Sequence, residues 1–127
     1  MEYAALVILL ALLQYFYFTG RVGLTREKYQ VDAPACRGDE TWERLFRVQQ
    51  NTMEQLIIMI PASLLFAFYL SGQWVLLPGI VFIAGRFLYA SEYVKDPKTR
   101  GVGMGITGLA NIALMLGALY GVVRALL

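Results

Sequence analysis

The sequence predicts an all-α integral membrane protein, a bundle of four transmembrane helices. Three observations predict it. The 127 residues are 58% hydrophobic and only 16% charged, against about 25% charged in an ordinary soluble domain. The apolar residues come in long blocks rather than amphipathic stripes. The charges gather between the blocks. The length allows one domain, 1–127.

Each block has its own reason to be a helix. Tyr3–Phe18 holds no charge, Thr52–Leu70 holds only Glu54, Trp74–Ala90 only Arg86, and Val102–Val123 none. A helix needs about 20 residues to cross ~30 Å of hydrocarbon. With their flanks, the blocks predict helices over approximately 2–24, 40–70, 73–94 and 100–125. Four buried helices of a soluble bundle would leave too little polar surface to face water. The first block is expected to be a retained helix rather than a signal peptide. It carries Glu2 where a signal carries cations, and no small-x-small site lies near Phe18-Thr19-Gly20. The second helix is expected to begin before the membrane, capped by Thr41 or Asp39, with Glu43 at its positive end. Pro61 removes one of its backbone bonds.

The loops set the orientation. Arg21, Arg26, Lys28, Arg37, Arg44 and Arg47 surround the first connection, and Lys95, Lys98 and Arg100 the third, with Arg86 just before it. The second turn, Ser71–Pro78, has no cation. The positive-inside rule therefore expects the first and third connections in the cytoplasm and both termini on the other side. Tyr15, Phe16, Tyr17 and Phe18 are expected as interface anchors, with Trp74 at the opposite interface. The net charge of +2 is mixed in sign and marks no nucleic-acid surface.

Some chemistry is excluded. With no histidine, His-based metal sites and Ser/Cys–His catalysis cannot be built, and no metal is expected. The single cysteine, Cys36, forms no internal disulfide. A G-x-G-x-x-G string at 103–108 lies in an apolar helix with no preceding strand, so it is not read as a dinucleotide fingerprint. Gly101/Gly105 and Gly117/Gly121 are expected instead as small-xxx-small packing pairs.

What remains is a polar stripe in an apolar setting. At 100° per residue, Arg47, Asn51 and Glu54 fall within about 60° on the second helix, and Arg44 extends the sector to about 80°. On the third, Arg86, Tyr89 and Tyr93 share a face, and Arg100 follows at the same membrane side. One explanation is structural: Glu54 pairs with Arg86 or Arg47 and the rest snorkel. The other is functional. Cations outnumber carboxylates here, so a small, multiply charged cytosolic anion would complete the site.

The string Glu43-Arg44-x-x-Arg47-x-Gln49-x-Asn51-x-x-Glu54, with Arg86-x-x-Tyr89-x-x-x-Tyr93 and Arg100, resembles the signature of the MAPEG family, membrane-associated proteins in eicosanoid and glutathione metabolism. The resemblance covers essentially the whole chain and is closest in character to bacterial, microsomal glutathione transferase-like members. It implies a homotrimer that binds glutathione as co-substrate between subunits near the cytoplasmic side of an inner membrane. It implies Arg26, Arg47, Gln49, Asn51, Glu54, Arg86, Tyr89 and Tyr93 as glutathione contacts. Arg100 matches the arginine thought to stabilise the thiolate. The implied activity is conjugation of glutathione to lipophilic electrophiles, with reduction of lipid hydroperoxides as a further activity. A non-catalytic lipid-binding scaffold is the alternative, and a small transporter or structural bundle a third. The chain departs from the familiar pattern after the glutamate, where Gln55 removes one possible aromatic contact to glutathione and proline is delayed to Pro61.

Overall fold

The computed structural model describes residues 1–127. Four α-helices, α1 (Glu2–Leu24), α2 (Glu40–Tyr69), α3 (Leu76–Lys95) and α4 (Gly101–Leu126), are joined by short connections, with a 3₁₀ turn at Pro97–Thr99. No strand is present. Helix α4 packs on both α3 and α2, and α1 packs on α2. Contacts between α1 and α3 are looser, and α2 meets α3 across the short diagonal.

The bundle is apolar outside. Phe16, Phe68, Leu116 and Leu126 are mostly exposed, whereas Gln14, Thr52, Ser63, Arg86, Thr107 and Asn111 are buried. A water-soluble bundle distributes its residues the other way. Glu2–Leu24, Glu40–Tyr69 and Pro97–Leu126 are long and apolar enough to cross a membrane. Helix α3 falls outside that set, because Arg86, Glu92 and Lys95 lie in its second half.

Side chains close the helix ends at the charged side of the bundle. Asp39 caps α2 by accepting from the Trp42 backbone N–H at 2.9 Å. The Trp42 indole N–H donates back to the Val22 carbonyl of α1 at 3.0 Å. Arg44 donates to the Val94 and Lys95 carbonyls at 3.1 and 3.3 Å, satisfying the end of α3. It also pairs with exposed Glu40 at 2.8 Å. Arg44 therefore leaves the expected stripe to serve as a cap.

Three other expectations change. Helix α3 begins at Leu76 rather than 73, because Ser71 and Gln73 hold a turn through Trp74 and Leu76. Phe18 is not an interface anchor: it is buried beside Val48, Tyr89 and Ala90. Gly101 and Gly105 do not pack within the subunit, since nothing lies within 4 Å of a Cβ built on either. The close approaches are at Gly103 against Tyr89, Gly117 against Phe66 and Gly121 against Tyr69. Gly117 and Gly121 are thus a packing pair as expected, and Gly79 admits Val7 of α1.

Candidate functional site

The site is built around one buried cation. Arg86 is fully buried at the middle of α3. Its Nε donates to Thr107 Oγ1 of α4 at 3.2 Å. One terminal nitrogen donates to Asn51 Oδ1 at 2.7 Å and to Thr52 Oγ1 at 3.2 Å, both on α2. The other donates to Met104 Sδ at 3.2 Å. Its guanidinium lies 4.4 Å from the centre of the Tyr89 ring, and Tyr89 stacks on Tyr93 at 5.4 Å and 13°. One side chain thus ties α2, α3 and α4 together at one level.

No carboxylate answers this charge. The ion pairs are Arg44 with Glu40 and the amino terminus with Glu2. The structural explanation of the stripe, Glu54 paired with Arg86 or Arg47, does not occur in the subunit. Glu54 and Arg47 are both exposed. Burying an ion costs several kcal/mol, and here only neutral oxygens, a sulfur and a ring compensate it.

Arg47 and Arg100 complete the cluster. Arg47 is exposed on α2, one turn before Asn51. Arg100 occupies the N-cap of α4 and is exposed. Arg47, Asn51, Glu54, Arg86, Tyr89, Tyr93 and Arg100 therefore belong to the α2–α3–α4 side of the bundle.

Arg26 and Gln49 do not join them. Arg26 donates to the Ala35 carbonyl at 2.8 Å and covers the Trp42 ring at 4.7 Å. Gln49 donates to the Tyr15 hydroxyl of α1 at 2.9 Å. The separation is geometric: positions 47 and 49 lie about 160° apart on a helix. The two lie on the α1–α2 side. Tyr15, expected only as an interface anchor, is half-buried and holds Gln49.

Two apolar grooves flank α2. One, about 400 Å³, is lined by Ile58, Pro61, Ala62 and Leu65 against Met115, Ala118, Leu119 and Val122 of α4. The other, about 430 Å³, lies between α1 and α2, from Leu12 and Tyr15 to Pro61. Just above the first groove, Asn111 donates to Gln55 Oε1 at 3.0 Å. Gln55 thus stands as a tie between α2 and α4.

The motif residues missed Thr52, Met104 and Thr107. A signal existed for the last: Thr107 and Asn111 are four apart in an otherwise apolar run, so they share one face.

The MAPEG family model matches residues 4–120. The chain belongs to the MAPEG family. Among its relatives, an uncharacterised protein of the cyanobacterium Synechocystis is 39% identical over 118 residues, 93% of this chain and 86% of that one. Human microsomal glutathione S-transferase 2 is 36% identical over 116 residues, covering 91% of this chain and 79% of its own. A probable microsomal glutathione S-transferase of Dictyostelium discoideum is 29% identical over 107 residues, 80% of this chain and 72% of its own. As a MAPEG protein with three helices fit to span a bilayer, this chain is an integral membrane protein.

Proposed function

We propose that this MAPEG protein is a membrane glutathione transferase that activates glutathione as its thiolate and conjugates it to lipophilic electrophiles. The observation that carries the reading is that Arg47 and Arg100, exposed, and Arg86, buried, are none of them neutralised by a carboxylate of the subunit. Glutathione brings two carboxylates and a thiol. Its carboxylates suit guanidinium forks. Asn51 and Glu54 suit its amide and amine groups, and the Tyr89–Tyr93 pair forms a wall.

Activation follows from charge. A thiol of pKa near ~8.5 is mostly protonated at neutral pH, and the thiolate is the nucleophile. Arg100, exposed at the head of α4, favours the anion without giving up its own proton. The sulfur then forms a C–S bond with the electrophile as the leaving group departs with its electron pair. With a hydroperoxide, the thiolate would attack the peroxide oxygen instead, breaking the O–O bond and releasing the alcohol, and a second glutathione would take the resulting sulfenic acid to the disulfide with loss of water. The electrophile would reach the sulfur along the apolar groove between α2 and α4.

We place the complete site between copies in a homotrimer. Arg26 and Gln49 sit on the opposite side of α2 from the other residues. A second copy would bring them to bear on the same tripeptide. The same reading places all four helices across the membrane, with the site facing the cytoplasm and both termini on the other side.

The test uses purified protein in detergent, glutathione and 1-chloro-2,4-dinitrobenzene. The parent is expected to turn over, and Arg100→Ala to lose about 100-fold in kcat, the usual cost of removing one charge-stabilising group. Glutathione binding without turnover in the parent would leave a lipid-binding scaffold. No binding would end the glutathione reading.

A further inference from the structure

Arg86 matches a family glutathione contact by position, yet the subunit encloses it completely. We infer that Arg86 is a positioning residue that turns the Asn51 amide outward as a hydrogen-bond donor and does not itself touch glutathione. The inference rests on the glutathione reading above and goes further into the same site.

Donor and acceptor chemistry fixes the orientation of the pair. A guanidinium carries five N–H donors and no acceptor. Whatever faces it at 2.7 Å must therefore be oxygen, so Asn51 Oδ1 points inward to Arg86. The amide then has one direction left for its NH₂, away from Arg86. No group of the subunit accepts from it, and Asn51 remains partly exposed. An asparagine free to flip could present either an oxygen or an NH₂ to a ligand. Here it can only donate, which suits a carbonyl or carboxylate oxygen of the tripeptide.

The other contacts of Arg86 are equally determined. Thr52 Oγ1 donates its one proton to the Val48 carbonyl at 2.7 Å. Thr107 Oγ1 donates its own to the Gly103 carbonyl at 2.8 Å. Both hydroxyls therefore meet Arg86 as acceptors, at 3.2 Å each. Met104 sulfur can only accept. Every neighbour is committed by its own chemistry, so a guanidinium swung out to a ligand would give up all four of these bonds and leave its buried place unfilled. A flexible surface arginine has no such constraint.

A double-mutant cycle tests this, read by calorimetric binding of glutathione and its sulfonate analogue. Asn51→Leu is expected to weaken binding roughly tenfold, the loss of one hydrogen bond to a charged or polar group. Arg86→Lys, which keeps the charge but cannot hold Asn51 and both threonines, is expected to weaken it similarly. The double variant is expected to match either single variant. A product of the two losses, roughly a hundredfold, would show Arg86 touching the ligand and would overturn the inference. Asn51→Asp covers the case in which Arg86→Lys fails to fold. Its carboxylate pairs with Arg86 and supports folding, but it has no NH₂. It is expected to melt no lower than the parent, bind glutathione at least tenfold more weakly, and raise KM with kcat at saturating glutathione little changed. Parent-like affinity in Asn51→Asp overturns the inference as well. If the parent itself fails to bind, the glutathione reading falls first and takes this with it.

Discussion

At the residue scale, the informative distinction is between cations the chain satisfies and cations it leaves open. Arg44 is a cap: two carbonyls and Glu40 occupy it. Arg86 is enclosed by neutral partners. Arg47 and Arg100 remain exposed, with no carboxylate partner in the subunit. The sequence sets Arg44 and Arg47 on one stripe of the second helix, Arg86 on a face of the third and Arg100 at the same side, without telling which of them the chain satisfies, because helical periodicity gives direction but not reach. Gln49 shows the same limit: it stands two residues from both Arg47 and Asn51, and its side chain reaches Tyr15 on the opposite side. For Arg47→Ala and Glu54→Ala, each is expected to raise the glutathione dissociation constant about tenfold or more. Each should slow the step at saturating glutathione much less. Titration of the variants with glutathione sulfonate checks this, and parent-like affinity would remove that residue from the site.

At the element scale, α2 organises the cytoplasmic-side end expected from the loops. Its first turns cap α1 through Trp42 and α3 through Arg44, and its next turns hold Arg86. Trp42→Phe keeps the buried ring surface but loses the indole donor. The cost is expected to be about 1–2 kcal/mol, since the Val22 carbonyl is left buried without its partner; thermal denaturation in detergent measures it. Helix α4 depends on glycine only where a neighbour presses on it. A Cβ at Gly121 would come within 2.7 Å of the Tyr69 backbone, so Gly121→Ala is expected to destabilise by about 1–3 kcal/mol. A Cβ at Gly105 meets nothing within 4 Å, and Gly105→Ala should be no less stable in the isolated subunit. The sequence marks both glycines alike, because a small-xxx-small spacing does not say which face is covered.

At the scale of the whole molecule, the residues expected in the site divide between two sides of α2. That division makes a prediction about assembly. Chains carrying Arg26→Ala and chains carrying Arg47→Ala are expected to bind glutathione poorly when made separately. Mixed within one oligomer, some sites would draw Arg47 from one chain and Arg26 from the other, and those sites should recover binding. No recovery in mixed oligomers, with both pure variants impaired, would show that the two residues serve the same chain or different purposes. The apolar grooves on either side of α2 share Pro61 as a wall, so packing one side of a copy on the other side of the next would bring them together.

The sequence by itself determined the helical class, the approximate span of each helix and the family, because apolar block length and a dense polar motif are local, one-dimensional signals. The tertiary structure decided what each polar side chain touches. It moved Phe18 into the core, turned Arg44 into a cap, enclosed Arg86 among threonines and a methionine far along the chain, and set Gln49 and Arg26 apart from the rest. Those outcomes depend on which helices become neighbours and at what register: the local pattern marks Asn51 and Thr107 as polar positions but does not say that both, 35 and 21 residues away, meet Arg86.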